Sequence, residues 1–157
     1  MFDPTTLTGA HTWVSLVAIA AGLLLLPALL RGEARGTLSG IFLATAFLTS
    51  ASGFLFPFNG LLPSHTVGAI ALVVVAVAAY AVYGAGQMGR WRGIYAGMAV
   101  ASLYFLMFVG VAQAFAKVPA LKAAAPTQSE PPFAVAQGAV LLLFIALGVA
   151  AVRARRA

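Results

Sequence analysis

His11 and His65 are the only histidines in the chain. Imidazole is the side chain best suited to ligate haem iron or a metal ion, or to exchange a proton near neutral pH. Each histidine opens an apolar stretch and is followed by a threonine, in "GAHTW" and "PSHTV". Two such stretches crossing a bilayer in the same direction would hold both rings at similar depth, where they could clasp a b-type haem. Asp3 or Glu130 could instead complete a metal site with them. The plainer role is structural: histidine is comfortable at a membrane interface, and Thr12, Ser64 and Thr66 are residue types that start helices. Membrane b-haems usually lie deeper than a helix end. The chain has no cysteine, which excludes covalent haem attachment, thiolate metal sites, thiol redox chemistry and disulfides.

Other polar residues gather at the same level. Gln113 and Gln137 sit about a turn inside later apolar stretches, and Gln113 shares a helix face with Lys117. Asn59 and Glu130 lie in the connections. His11, Asn59, His65, Gln113, Glu130 and Gln137 thus mark one mouth of the molecule as the place where polar groups of several types converge. A mostly apolar concavity with a few convergent polar groups is the usual form of a small-molecule site. The same groups also suit simple contact with interfacial water.

A milder set lies deeper. Thr45, Thr49, Ser52 and Gly53 follow one helical stripe, and Ser102 and Tyr104 fall near the middle of a later stretch. Such a seam can line a pore, or it can supply interhelical hydrogen bonds of about 0.6–2 kcal/mol each. A buried tyrosine hydroxyl needs a partner, and Thr45 or Thr49 stands at the right depth to serve Tyr104. No Asp, Glu, Lys or Arg falls in the centre of any apolar stretch, which weighs against ion-coupled transport and proton relays. There is no G-x-S-x-G, P-loop, H-E-x-x-H or dinucleotide fingerprint, and no reaction is legible.

The elements that must position these residues follow from composition. Of 157 residues, 62% are hydrophobic and 8% charged, against the usual charged quarter or so of a soluble domain. The mean hydropathy is +1.03. Apolar runs of about 20 residues recur, the length that crosses about 30 Å of hydrocarbon as a helix. We read an all-α integral membrane protein, one compact five-helix domain over residues 1–157. Its spans are Thr12–Leu30, Thr37–Phe56, His65–Tyr83, Ile94–Ala116 and Phe133–Val152. Pro57, Pro63, Pro131 and Pro132 punctuate the spans at their edges, whereas Pro27 falls inside the first and should kink it. The start, with Asp3 and no basic n-region, does not read as a signal peptide.

Arg31, Arg35, Arg90, Arg92, Arg153, Arg155 and Arg156 fall on one side of these spans, and only Lys117 and Lys122 on the other. Basic residues mark the cytoplasmic face, so the N-terminus is expected outside, the C-terminus inside, and the home is the plasma (inner) membrane. Trp13 would mark the outer interface, and Trp91 with Tyr95 the inner one. The pI near 10.6 reflects this asymmetry, and nucleic acid is not expected as a partner. Ala18 with Gly22, and Ala81 with Ala85, have the small-xxx-small spacing that lets helices approach closely, within the fold or between protomers.

The outer connection, "KVPALKAAAPTQSEPPF", should be stiff, extended and ordered across the mouth. Val118, Leu121 and Phe133 should face the bundle. Its polar run should pair with the ends of the first and third helices, with Glu130 at a helix N-terminus and within reach of a histidine. The function these features favour is non-enzymatic: a bundle whose outward-facing mouth binds a small apolar or amphipathic molecule, such as a lipid or quinone. The alternatives are a haem b protein using His11 and His65, an accessory subunit of a larger membrane complex, and a passive facilitator for a neutral solute. Membrane lipids, and a second copy of the chain, are the expected partners.

Overall fold

The first helix is placed by its cap. Thr6 has extended backbone, and its hydroxyl accepts from the Gly9 amide at 3.1 Å, satisfying one of the donors that a helix start leaves open. The helix therefore begins at Leu7, ahead of the Thr12 expected from hydropathy. Thr12 is an interior residue whose hydroxyl donates to the Thr8 carbonyl at 2.7 Å, and His11 sits in the second turn.

The computed structural model describes residues 3–33, 36–56 and 63–154. Its helices are α1 (Leu7–Leu30), α2 (Gly36–Ser52), α3 (Pro63–Ala79), α4 (Trp91–Lys117), α5 (Pro119–Ala124) and α6 (Pro131–Ala154). A 3₁₀ turn, Gly53–Leu55, extends α2, and a π-helical turn, Tyr80–Gly84, extends α3. With these extensions five helices are long and apolar enough to cross a membrane, and no strand occurs among the described residues.

Helices α1 to α4 close a ring, each packing on the next and α4 returning to α1, while α6 lies outside it against α4 and part of α1. Only Phe144 and Ala151 of α6 are buried. The inward face of α1 is a stripe of small and branched residues: Ala18, Ala21, Gly22, Leu25, Ala28 and Leu29. Gly22 marks the closest approach. A Cβ there would fall 2.6 Å from Leu103 Cδ1 and 2.7 Å from Phe42 Cε2. Small residues set this face, since both sides of such a helix are apolar.

A buried hydrogen bond ties α4 to α2 in the core. The buried Tyr95 hydroxyl of α4 donates to Ser39 Oγ of α2 at 2.5 Å. Two expectations change here. Tyr95 belongs to the core and not to an interfacial belt, whereas Trp91 packs edge-on against Tyr80 with ring centroids 5.1 Å apart. Tyr104 does not bond to Thr45 or Thr49. Its ring lies among Phe105, Phe108 and Phe144, and its hydroxyl has no hydrogen-bond partner among the described residues. The reason is rotational: Tyr104 lies on the face of α4 that meets α6, whereas Thr45 turns back to its own helix, donating to the Ile41 carbonyl at 2.7 Å.

Interhelical contacts define two ends. A Cβ on Gly32 would lie 2.5 Å from the Ala154 carbonyl oxygen, one on Gly93 would lie 3.6 Å from Val152, and one on Gly40 would meet the Tyr83 hydroxyl at 2.9 Å. The turn after α1 and the starts of α2 and α4 therefore share one end with the last turns of α3 and α6. Arg31, Arg90, Arg92 and Arg153 are at that end, whereas Lys117 and Lys122 are at the other. Arg35, Arg155 and Arg156 lie outside the described residues.

The connection from Lys117 to Phe133 is ordered but not extended. Val118 takes the extended backbone required before proline, and Pro119 opens the short helix α5. Phe133 packs edge-on against buried Phe115, centroids 5.3 Å apart, whereas Val118 is 44% exposed. Gln128 donates from Nε2 to the Ala112 carbonyl at 2.8 Å. The polar run thus fastens to α4 in place of the expected starts of α1 and α3.

Candidate functional site

At the histidine end, α1 and α2 run antiparallel, which brings His11 Nδ1 to 2.8 Å from Ser52 Oγ. Ser52 Oγ also donates to the Thr49 carbonyl at 3.2 Å. The His11 ring stands edge-on to Phe56 at 5.2 Å, and His65 is tilted against Phe54 at 5.9 Å. The two histidines thus flank the last turn of α2, each against a phenylalanine. Reading by hydropathy set His11 in a mouth and Ser52 in a mid-membrane seam and missed that they meet. The antiparallel register of α1 and α2 is the signal that would have found the pair.

The other candidates are held locally. Gln137 donates from Nε2 to the Phe108 carbonyl at 3.0 Å, tying α6 to α4. Its Oε1 is buried with no partner among the described residues, as is the Thr49 hydroxyl. Gln113 is exposed on α4, Ser102 is buried, and Asn59 lies outside the described residues. Glu130 directly precedes α6, its carbonyl accepting from Phe133 and Ala134. Its carboxylate turns back into the connection and accepts from the Thr127 hydroxyl at 2.8 Å and the Ser129 amide at 3.1 Å, and not from a histidine. Partial desolvation works to raise that carboxyl. The Thr127 hydroxyl and the nearby amides outweigh it and hold the group below the usual carboxylate range. Asp3 is likewise held low by the hydroxyl and amide of Thr5. Among the described residues no three His, Asp or Glu side chains cluster.

The arginine end has a different character. A groove of about 460 Å³ runs between α4 and α6, walled by Val100, Ala101 and Tyr104 on one side and Phe144, Gly148 and Val149 on the other, with Arg153 at its foot. A second hollow of about 550 Å³ adjoins it at Gly97 and Val152 and is bordered by Arg90 and Arg92. Both volumes fall in the range of roughly 300–1,000 Å³ typical of ligand sites. Small residues create the space: a Cβ on Gly97 would come 3.3 Å from Val152, and one on Gly148 would come 3.7 Å from Val100.

The arginines at this end are held but not neutralised. The chain has three acidic side chains. Asp3 and Glu130 belong to the histidine end, and Glu33 bonds Arg31 at 3.2 Å. Arg90 lies over the Trp91 ring at 5.7 Å, and Arg92 Nε donates to the Gln87 carbonyl at 3.1 Å. No ion pair joins Arg90, Arg92 or Arg153 to a carboxylate among the described residues. The arrangement offers an apolar trough that ends in arginines with no carboxylate partner among the described residues. No protein-family model, curated protein or solved structure matches the chain.

Proposed function

We propose that the chain is an integral protein of the plasma (inner) membrane, N-terminus outside and C-terminus cytoplasmic, that binds a lipid-class amphiphile without transforming it. The ligand enters sideways, between α4 and α6. The observation that supports this reading is the apolar groove at the arginine end, floored by Gly97 and Gly148 and open along the exposed side of α6. The histidine end supports a mouth site less well, because His11 and Gln137 bond to neighbouring helices and Glu130 to its own connection. The basic asymmetry of the sequence supports the orientation.

Photo-crosslinking tests the groove. A fatty-acyl probe with a diazirine near the chain end, incorporated into membranes that contain the protein, should label peptides of α4 and α6 around Ala101 and Phe144. Ala101→Phe, which fills the groove, should abolish that labelling while the far-UV circular dichroism stays unchanged. Uniform labelling of every exposed helix, unaffected by Ala101→Phe, would remove the proposal.

A further inference from the structure

We infer that the groove's occupant is an anionic phospholipid of the arginine-side leaflet, with its phosphate at Arg90, Arg92 and Arg153 and one acyl chain lying between α4 and α6. This rests on the proposal that the groove takes an amphiphile, and it adds the headgroup, the leaflet and the residues that select them.

Length supports the leaflet. From Leu141 to Arg153 the α6 wall of the groove is roughly 18 Å at 1.5 Å per residue. Half of a hydrocarbon core about 30 Å thick is about 15 Å. The trough therefore matches the depth of a single leaflet and stops where that leaflet would end. Tyr104 closes the top with its ring among Phe105, Phe108 and Phe144.

Charge supports the headgroup. The foot carries Arg153 from α6, with Arg90 and Arg92 from the start of α4. The chain's three acidic side chains are placed elsewhere or already bonded to Arg31. Three exposed arginines at the end of an apolar trough, with no carboxylate paired to them among the described residues, suit an anion from outside the chain. Guanidinium presents paired N–H donors that match two phosphate oxygens, and three clustered positive charges favour a headgroup of net negative charge over a zwitterion whose choline ammonium offsets its phosphate.

Local structure holds the arginines in place. The turn between the π-helical segment and α4 places Gly86, Gln87 and Gly89 at φ 58°, 55° and 52°, a left-handed path that glycine adopts freely. That path brings the Gln87 carbonyl under Arg92 Nε, leaving the two terminal nitrogens of Arg92 to meet a ligand. Arg90 is braced on Trp91, which is braced in turn on Tyr80.

The test is native mass spectrometry of delipidated full-length protein, mixed with phosphatidylglycerol or with phosphatidylcholine of the same acyl chains. The wild type should retain phosphatidylglycerol at least about tenfold better, since each arginine near an anionic surface contributes roughly a fivefold factor. The triple variant Arg90→Gln, Arg92→Gln, Arg153→Gln should lower phosphatidylglycerol retention to the phosphatidylcholine level and still crosslink the acyl probe. Arg31→Gln, at the same end but off the groove, should retain the wild-type preference. Equal retention of the two lipids by the wild type would overturn the headgroup assignment while the groove reading stands. An equal loss in Arg31→Gln would also overturn it, showing only diffuse attraction to a basic surface. Failure of the wild type to retain either lipid or to crosslink the probe would overturn the groove reading itself.

Discussion

Replacing Tyr95 with phenylalanine removes one oxygen from the centre of the helix ring and leaves every apolar contact of the ring face in place. Tyr95 and Ser39 are 0% and 1% exposed, and their hydroxyls are 2.5 Å apart. Water cannot replace the lost donor without opening the core. Ser39 can still turn toward a carbonyl of its own helix, as Thr45 does, which limits the penalty. Interhelical bonds of this kind average about 0.6 kcal/mol, with a maximum of about 1.7, so Tyr95→Phe should destabilise by about 0.5–1.5 kcal/mol. Ser39→Ala and the double variant complete a cycle whose coupling energy should exceed about 0.5 kcal/mol, the level at which independent sites still add. Tyr104→Phe is the control. Its hydroxyl has no partner among the described residues, so its effect should stay within about 0.5 kcal/mol. Unfolding by sodium dodecyl sulfate in mixed micelles, followed by circular dichroism, measures all four variants. Additive effects of Tyr95→Phe and Ser39→Ala, or a larger loss from Tyr104→Phe than from Tyr95→Phe, would refute the placement of α4 against α2.

Gly22→Val should cost about 1–3 kcal/mol in the same assay, because its Cβ would overlap Leu103 and Phe42; wild-type stability would show that α1 does not pack there. Gly32→Ala should destabilise by at least about 1 kcal/mol, since Gly32 has φ 73° and its Cβ would meet the Ala154 carbonyl. A neutral result would separate the ends of α1 and α6. The Glu130 carboxyl is held below its ordinary value of 4.5. Its contribution to the connection is therefore present above that value and lost as pH falls through the lower folded one. Corrected hydrogen exchange at Thr127 and Ser129 should be protected at pH 7 and lose that protection as pH falls through the lowered folded value, and Glu130→Gln should remove the protection at pH 7. Equal protection in wild type and variant would break that linkage. For orientation, a reporter fused after Ala157 should read cytoplasm and one inserted after Lys122 should read outside. The opposite readings would invert the topology drawn from seven arginines against two lysines.

The long helices were legible in the sequence because the contrast between apolar runs and their edges is large. Hydropathy placed all five to within a few residues, missing most at Leu7, where a cap governs the start and polarity does not. The proline marks at 119 and 131 were visible too, but the sequence reading made the first an extended link. Pro119 in fact opens a helical turn, because its fixed φ and missing amide suit a first position.

The inward faces were not legible. On α1, exposed Leu24 and buried Leu25 are the same residue type, and neighbouring apolar residues give polarity nothing to distinguish. Packing decides the face by volume, as at Ala18 and Gly22, where small side chains admit Phe42 and Leu103. For the same reason Tyr95, assigned to an interface, became the core hydroxyl, and Tyr104, assigned to the core, came to face α6. His11 and Ser52 needed the register of α1 on α2 to meet, and the groove needed α4 and α6 to meet at Gly97 and Gly148, where no side chain fills the crevice between them. By itself, then, the sequence determined how many long helices there are, where they start and stop to within a few residues, and where the charges lie along the chain, because each of these follows from local contrast between apolar and polar residues. Tertiary structure alone decided which residues touch and where space remains, because those depend on the rotation and register of one apolar surface on another.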